Sequence, residues 1–179
     1  MYSITMSTSS GVTIANLNGD SCQGDAAFPG VLEQMGCTLE SAADGLTVQG
    51  GRLRGLTVNL AAMPDLVPTL AVVAACAQGE TVITGVPHLR HKESDRLAAV
   101  ATELQKMGIA ARETADGLII TGGTPHGAAI DTYQDHRLAM SFAVAGLKTP
   151  GVSINDPGCV AKSFPDFWEY FEKLYQGGL

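Results

Sequence analysis

Leu32-Glu33-Gln34-Met35-Gly36 returns as Leu104-Gln105-Lys106-Met107-Gly108, 72 positions further along the chain. Asp44-Gly45-Leu46 returns at the same offset as Asp116-Gly117-Leu118. A helical spacing of apolar residues precedes the second Met-Gly, with Leu97, Val100, Leu104 and Met107 on one face. Gly36 and Gly108 then fall where a helix wants a left-handed C-terminal cap. After each glycine the pattern predicts a short strand, an Asp-Gly turn and a second strand, as in Ile109–Glu113 and Leu118–Thr121. A further helix follows in each copy, Asp65–Ala77 and Asp135–Gly146, and a strand closes each, Thr81–Thr84 and Val152–Ile154.

The repeating unit is therefore helix, hairpin, strand, helix, strand. Its length exceeds that of ordinary solenoid repeats, which points to two pseudo-symmetric modules rather than a stacked array. We place them at about residues 11–86 and 87–155, with a terminal helix at 163–175, all within one domain at 11–179. Gly11–Leu17 is expected as a lone strand with no helix before it, and Phe164–Leu174 as a helix without the rest of its module. Residues 1–10, rich in Ser and Thr, are expected to be a leader or tag outside the domain. The fold class is α/β (α+β), with helices on one side of short sheets.

Bulk composition narrows the function classes. The 179 residues are 45% hydrophobic and 16% charged, an ordinary globular mixture. Eighteen acidic side chains against eleven basic ones give a formal charge of −7, which argues against nucleic acid or an anionic membrane as partner. A local basic cluster for a small anion remains compatible with that total. No stretch approaches the roughly 20 apolar residues of a membrane span, and the first ten residues lack the pattern of a secretion signal. Cys22, Cys37, Cys76 and Cys159 are scattered without zinc-site spacing, so they are expected to be reduced, semi-buried thiols in a cytoplasmic protein.

Four polar stretches stand at helix starts. His88-Leu89-Arg90-His91-Lys92-Glu93-Ser94-Asp95-Arg96 is the densest. The exposed N–H groups and positive dipole end of the helix that follows make a seat for an anion. Lys92 and Arg96 add formal charge, and Glu93 lies among them. The plain alternative is a solvated helix start capped by Ser94 or Asp95. Tyr133-Gln134-Asp135-His136-Arg137-Leu138-Ala139-Met140 repeats the theme, with Asp135 as the simple cap. Asp156–Lys162 places a lysine before the last helix, and in Met63-Pro64-Asp65 the aspartate reads as an ordinary N-cap. Each stretch is weak alone. Cations at three helix starts, where the dipole does not favour them, hint at an anion shared between helix ends.

Taken together, Lys92–Arg96, Asp135–Met140 and Lys162-Ser163-Phe164-Pro165-Asp166-Phe167 resemble, in order and spacing, signature segments of the 5-enolpyruvylshikimate-3-phosphate synthases. Gln23-Gly24-Asp25 and Pro64-Asp65 resemble two further segments, so the likeness runs from about Val12 to Leu174. It implies two domains of repeated βαβαββ-type units with pseudo-threefold symmetry, of which this chain would be the carboxy-terminal one. It also implies transfer of the enolpyruvyl group of phosphoenolpyruvate to the 5-hydroxyl of shikimate 3-phosphate, without metal or cofactor. By the same resemblance Asp65 and Glu93 are the catalytic carboxylates. Arg96, His136, Arg137 and Lys162 surround phosphoenolpyruvate, while Asp65, His88 and Lys92 face shikimate 3-phosphate. His88 departs from the family, many members of which have Asn there.

The family's amino-terminal half supplies a Lys-Ser pair, further arginines and a Ser-Ser-Gln stretch, and nothing in residues 1–20 resembles them. A complementary amino-terminal half is thus the expected partner, and very low turnover is expected of this chain alone. Two other readings share the architecture: an enolpyruvyl transferase acting on UDP-N-acetylglucosamine, and a non-catalytic ligand-binding fragment. The two signatures at 92–96 and 135–140 favour the shikimate enzyme. Retention of Asp65, Glu93, Arg96, Arg137 and Lys162 speaks against decay of the site.

Overall fold

The computed structural model describes residues 4–6, 11–15, 23–42 and 45–175. Strands β1 (Ile4–Met6) and β2 (Gly11–Ala15) are followed by α1 (Phe28–Gln34), β3 (Thr38–Ala42), β4 (Gly45–Gln49), β5 (Thr57–Asn59), α2 (Val67–Ala75) and β6 (Glu80–Thr84). The order then repeats as α3 (Arg96–Lys106), β7 (Ala110–Glu113), β8 (Leu118–Thr121), β9 (Ala129–Ile130), α4 (His136–Gly146) and β10 (Ser153–Ile154), before α5 (Phe167–Tyr175). Short 3-10 segments of one to two turns lead into most of the helices, among them Pro64–Leu66, Pro87–His91 and Pro157–Lys162.

Three sheets result. One runs β1-β2-β4-β3 with every pair antiparallel, another runs β5-β6-β8-β7, and β9 and β10 pair parallel by themselves. In the second sheet β5 lies parallel to β6, while β6 and β8 pair antiparallel. The strand that ends one copy thus accepts the hairpin of the next. Gly117, at the tip of that hairpin, shows how closely the copies meet. A Cβ added to it would stand 1.8 Å from the Ile83 carbonyl oxygen on β6, so only glycine fits.

Sequence periodicity accounts for the helices. Leu97, Val100, Ala101 and Leu104 of α3 are buried on one stripe, and their burial contributes roughly 2 kcal/mol for each large side chain. Helix α2 buries Val67, Leu70, Ala71, Val72 and Ala74, nearly its whole circumference, because it packs against α3, α4 and the β6–β8 sheet at once. Gly36 and Gly108 end α1 and α3 with φ of +113° and +79°. The same paired bonds close both helices: Gly36 N to Glu33 O at 2.9 Å with Cys37 N to Leu32 O at 3.0 Å, and Gly108 N to Gln105 O at 2.9 Å with Ile109 N to Leu104 O at 3.0 Å.

Several expectations are revised. The strand at Gly11–Ala15 is not lone but lies between β1 and β4 in its sheet, and Ile4–Met6 of the expected leader supplies β1. The last helix starts at Phe167 rather than Phe164. Pro165 disfavours helical backbone in the residue before it, so Phe164 closes the 3-10 turn instead, donating its N–H to the Val160 carbonyl at 2.9 Å. Asp65 does not cap α2, whose N-cap is Leu66 without a side-chain bond, because two guanidinium groups hold the carboxylate elsewhere. Cys37 and Cys159 are half-buried free thiols as expected, whereas Cys76 is exposed, and Cys22 lies outside the described residues. Among the described residues no helix is long and apolar enough to cross a membrane.

Candidate functional site

The starts of α2, α3 and α4 and the end of the Pro157–Lys162 turn converge on a single charged cluster. At its centre is Arg96, the first residue of α3, whose side chain is 1% exposed. Its Nη1 lies 3.0 Å from Asp65 Oδ1, Nη2 lies 3.1 Å from Glu93 Oε2, and Nε lies 2.8 Å from Asp135 Oδ2. A guanidinium buried this deeply requires such partners, since an unpaired buried charge costs several kcal/mol on the usual order of about 3–5. Its planar fork presents donors in three directions, which an ammonium on a flexible stem cannot do as rigidly.

Two further cations close the ends of the chain of ion pairs. Arg137 Nη2 meets the second oxygen of Asp65 at 2.9 Å, and Lys162 Nζ meets the second oxygen of Glu93 at 3.0 Å. The order across the site is therefore Lys162, Glu93, Arg96, Asp65, Arg137, with Asp135 behind Arg96. The Lys162 ammonium, first among the causes, holds the Glu93 carboxyl down to about 2, with Arg96 adding to the effect. Glu93 is thus ionised at neutral pH in this arrangement.

Asp135 has two duties. Its Oδ1 accepts the Arg137 N–H at 2.9 Å and so caps α4, as the sequence pattern predicts. Its Oδ2 binds Arg96, a contact no local pattern announces. Asp95 caps α3 through the Ala98 N–H at 3.1 Å, leaving Ser94 Oγ buried without a partner. Arg90 ties the approach to α3 onto the β7–β8 hairpin through Glu113, Asp95 and the Thr114 carbonyl.

The structure thus brings together Asp65, Glu93, Arg96, Arg137 and Lys162. His136 is buried at the first position of α4, and its Nδ1 has no hydrogen-bond partner, a rare state for a buried ring nitrogen. His88 and Lys92 are exposed on and just after the Pro87–His91 turn and join no ion pair among the described residues. Beside Asp65 and Arg137 opens a groove of about 140 Å³, lined also by Thr69, Met140, Ser141 and Phe167. Thr69 and Ser141 hydroxyls meet across it at 3.1 Å, joining α2 to α4. Among the described residues no group of three or more His, Cys, Asp or Glu is placed to hold a metal ion. Chemically the cluster can do two things: exchange carboxylates for the oxygens of a ligand anion, and present carboxylates as proton acceptors.

Comparison with known proteins gives the chain a family. The family model described as EPSP synthase (3-phosphoshikimate 1-carboxyvinyltransferase) matches residues 3–171. A 3-phosphoshikimate 1-carboxyvinyltransferase of Syntrophobacter fumaroxidans is 55% identical over 161 residues, covering 88% of this chain and 38% of that protein. One from Methanosphaerula palustris is 48% identical over 169 residues, covering 94% of this chain and 39% of that protein. Among solved structures, EPSP synthase from Acinetobacter baumannii superposes with a TM-score of 0.71 at 37% identity, over 80% of this chain and 37% of that one. The enolpyruvyl transferase NikO from Streptomyces tendae follows with a TM-score of 0.66 at 26% identity, over 83% of this chain and 35% of that one. The chain therefore spans under two fifths of the length of these first relatives. With the match running through nearly all of its residues, it belongs to the EPSP synthase (3-phosphoshikimate 1-carboxyvinyltransferase) family.

Proposed function

We propose that this chain supplies one side of a site that transfers the enolpyruvyl group of phosphoenolpyruvate to the 5-hydroxyl of shikimate 3-phosphate, releasing phosphate. The reaction belongs to the shikimate route to aromatic amino acids. The observation that supports this reading is the single row of alternating charge from Lys162 through Glu93, Arg96 and Asp65 to Arg137. A ligand with a phosphate and a carboxylate needs several fixed cations a few ångströms apart, and preorganised charge of this kind is commonly the largest contribution to catalysis.

In this reading Arg96, Arg137 and Lys162 hold phosphoenolpyruvate, and His136 offers its unpartnered ring nitrogen beside them. Asp65 takes the proton of the acceptor hydroxyl as its oxygen bonds to C2 of phosphoenolpyruvate. Glu93, protonated from solvent once Lys162 has left it, delivers that proton to the methylene carbon and gives a tetrahedral adduct. It takes a proton back from the resulting methyl group as the C–O bond to phosphate breaks, and the proton held by Asp65 leaves with the phosphate. Lys162 controls the proton on Glu93. While it binds Glu93 the carboxyl stays ionised, and once a ligand oxygen draws it off the carboxyl rises and can be protonated. His88 and Lys92, exposed at the rim, face shikimate 3-phosphate.

Residues 11–179 form one domain in this account, acting in the cytoplasm with a complementary amino-terminal half that supplies the remaining contacts. The test is phosphate release from phosphoenolpyruvate and shikimate 3-phosphate, with the chain alone and with the amino-terminal half of a family member added. Turnover in the mixture only is the expected result. Turnover with UDP-N-acetylglucosamine as acceptor instead would replace the substrate assignment, and turnover by the chain alone would remove the need for a partner half.

A further inference from the structure

Tyr133, Gln134 and Asp156 are the non-glycine residues with positive φ among those described, at +53°, +60° and +49°. This backbone region crowds the Cβ of an L-residue and persists only where the surroundings enforce it. The places are telling. Tyr133 and Gln134 come immediately before Asp135 and so set the start of α4 and Arg137. Asp156 precedes the 3-10 turn that ends at Lys162. Both outer cations of the charged row are thus launched from left-handed turns.

The two turns are also tied together. Gln134 Nε2 donates to Asp156 Oδ2 at 3.0 Å, left-handed residue to left-handed residue. The first turn is anchored inward by the Tyr133 hydroxyl, which donates to Glu103 Oε1 at 2.7 Å. Glu103 sits on α3, the helix that begins with Arg96, and its side chain is 0% exposed. Its other oxygen accepts the Asp131 N–H at 3.1 Å and the Lys106 ammonium at 2.9 Å. A buried carboxylate with every oxygen engaged is a rigid fixture, costly to build and hard to move. Arg96, Arg137 and Lys162 therefore share one frame behind the site, running through Glu103, Tyr133, Gln134 and Asp156.

We propose that these four are positioning residues, and that the Gln134–Asp156 bond sets the separation between Arg137 and Lys162. The bond is exposed, where one neutral-to-charged contact adds little to stability. Its value is geometric: cations that clamp two ends of one ligand must keep their spacing to within about half an ångström. The inference rests on the anion-clamp reading of the site given above.

The experiment uses the whole chain and variants Gln134→Ala, Asp156→Asn and Tyr133→Phe, followed by amide NMR of the chain alone and then by titration with phosphoenolpyruvate in the presence of the amino-terminal half of a family member. Without ligand, Gln134→Ala is expected to shift the resonances of 135–137 and of 160–163 together, with an unchanged melting temperature. Asp156→Asn keeps an acceptor oxygen and tolerates the left-handed backbone, so it should stay near wild type. Tyr133→Phe should move both segments as well. On titration, Gln134→Ala is expected to bind phosphoenolpyruvate roughly tenfold more weakly, as misplaced clamps do, and Asp156→Asn about as well as wild type. Shifts confined to 133–137, or coupled shifts with unaltered affinity, overturn the proposal. A wild-type chain that does not bind phosphoenolpyruvate even with that half present, yet shows the coupled shifts, overturns the anion-clamp reading and leaves the linkage of the two turns standing.

Discussion

Asp65 and Asp135 stand at corresponding places in the two copies of the repeat, and both bind the same guanidinium, that of Arg96, at 3.0 and 2.8 Å. The repeat is symmetric in its carboxylates and asymmetric in its cation. The position equivalent to Arg96 in the first copy is Gly24, where an added Cβ would lie 1.9 Å from the Ala62 carbonyl oxygen. No side chain of any length fits there. One arginine therefore serves two modules.

Asp135→Asn is expected to destabilise the chain by about 3 kcal/mol, because it leaves Arg96 buried and short of a charge partner. Urea unfolding monitored by circular dichroism measures it. A loss under about 1 kcal/mol would mean that Arg96 finds water or another partner when Asp135 is neutral.

The Glu93 carboxyl should titrate near pH 2 in the free chain, and Lys162→Ala should raise that midpoint toward the ordinary 4.5. The sign for stability follows from the depressed value. The contribution of Glu93 pairing is complete above about 4.5 and is lost as pH falls toward 2. Carbon-detected NMR of the carboxyl reads both, and a midpoint unmoved by Lys162→Ala would show that Lys162 does not set it.

Gly117→Ala should cost about 2 kcal/mol, since the hairpin must back away from β6 to admit a methyl group. Thermal melting checks it. An unchanged melting temperature would mean that the two copies are not in contact at the hairpin tip.

In a mixture of this chain with a complementary amino-terminal half, Arg137→Ala and Lys162→Ala should each lower phosphate release by about 10²–10³, the usual effect of losing one preorganised charge donor. Both variants are expected to fold, because the two side chains are partly exposed. Steady-state rates against phosphoenolpyruvate concentration decide it, and a loss under about fivefold would place the residue outside the clamp.

Much of this was legible in the chain itself because the informative signals are local. The Met-Gly repeat locates two helix ends, and the φ values of Gly36 and Gly108 follow from it. Charged groups at helix starts mark Glu93, Arg96, Arg137 and Lys162, which the fold does bring together. What stayed hidden depends on distant partners. Asp65 reads as a cap only until Arg96 and Arg137, 31 and 72 positions away, claim its two oxygens. Glu103 looks like a solvated residue of an amphipathic helix, since its partner Tyr133 lies 30 positions on. The left-handed turn at 133–134 carries neither Gly nor Asn, so nothing local announces it.

The row from Lys162 to Arg137, with Asp135 behind it, holds three carboxylates and three cations. At rest the cluster carries no net charge, and the chain as a whole is negative. A phosphate-bearing ligand is therefore not drawn in by a long-range field from this chain. In the proposed reading it enters by exchange, its oxygens replacing those of Glu93 and Asp65 on cations already in place. Glu93, no longer held down by the Lys162 ammonium, then takes up a proton. Ligand capture and proton uptake become a single event, visible as a heat of binding that changes with the ionisation enthalpy of the buffer.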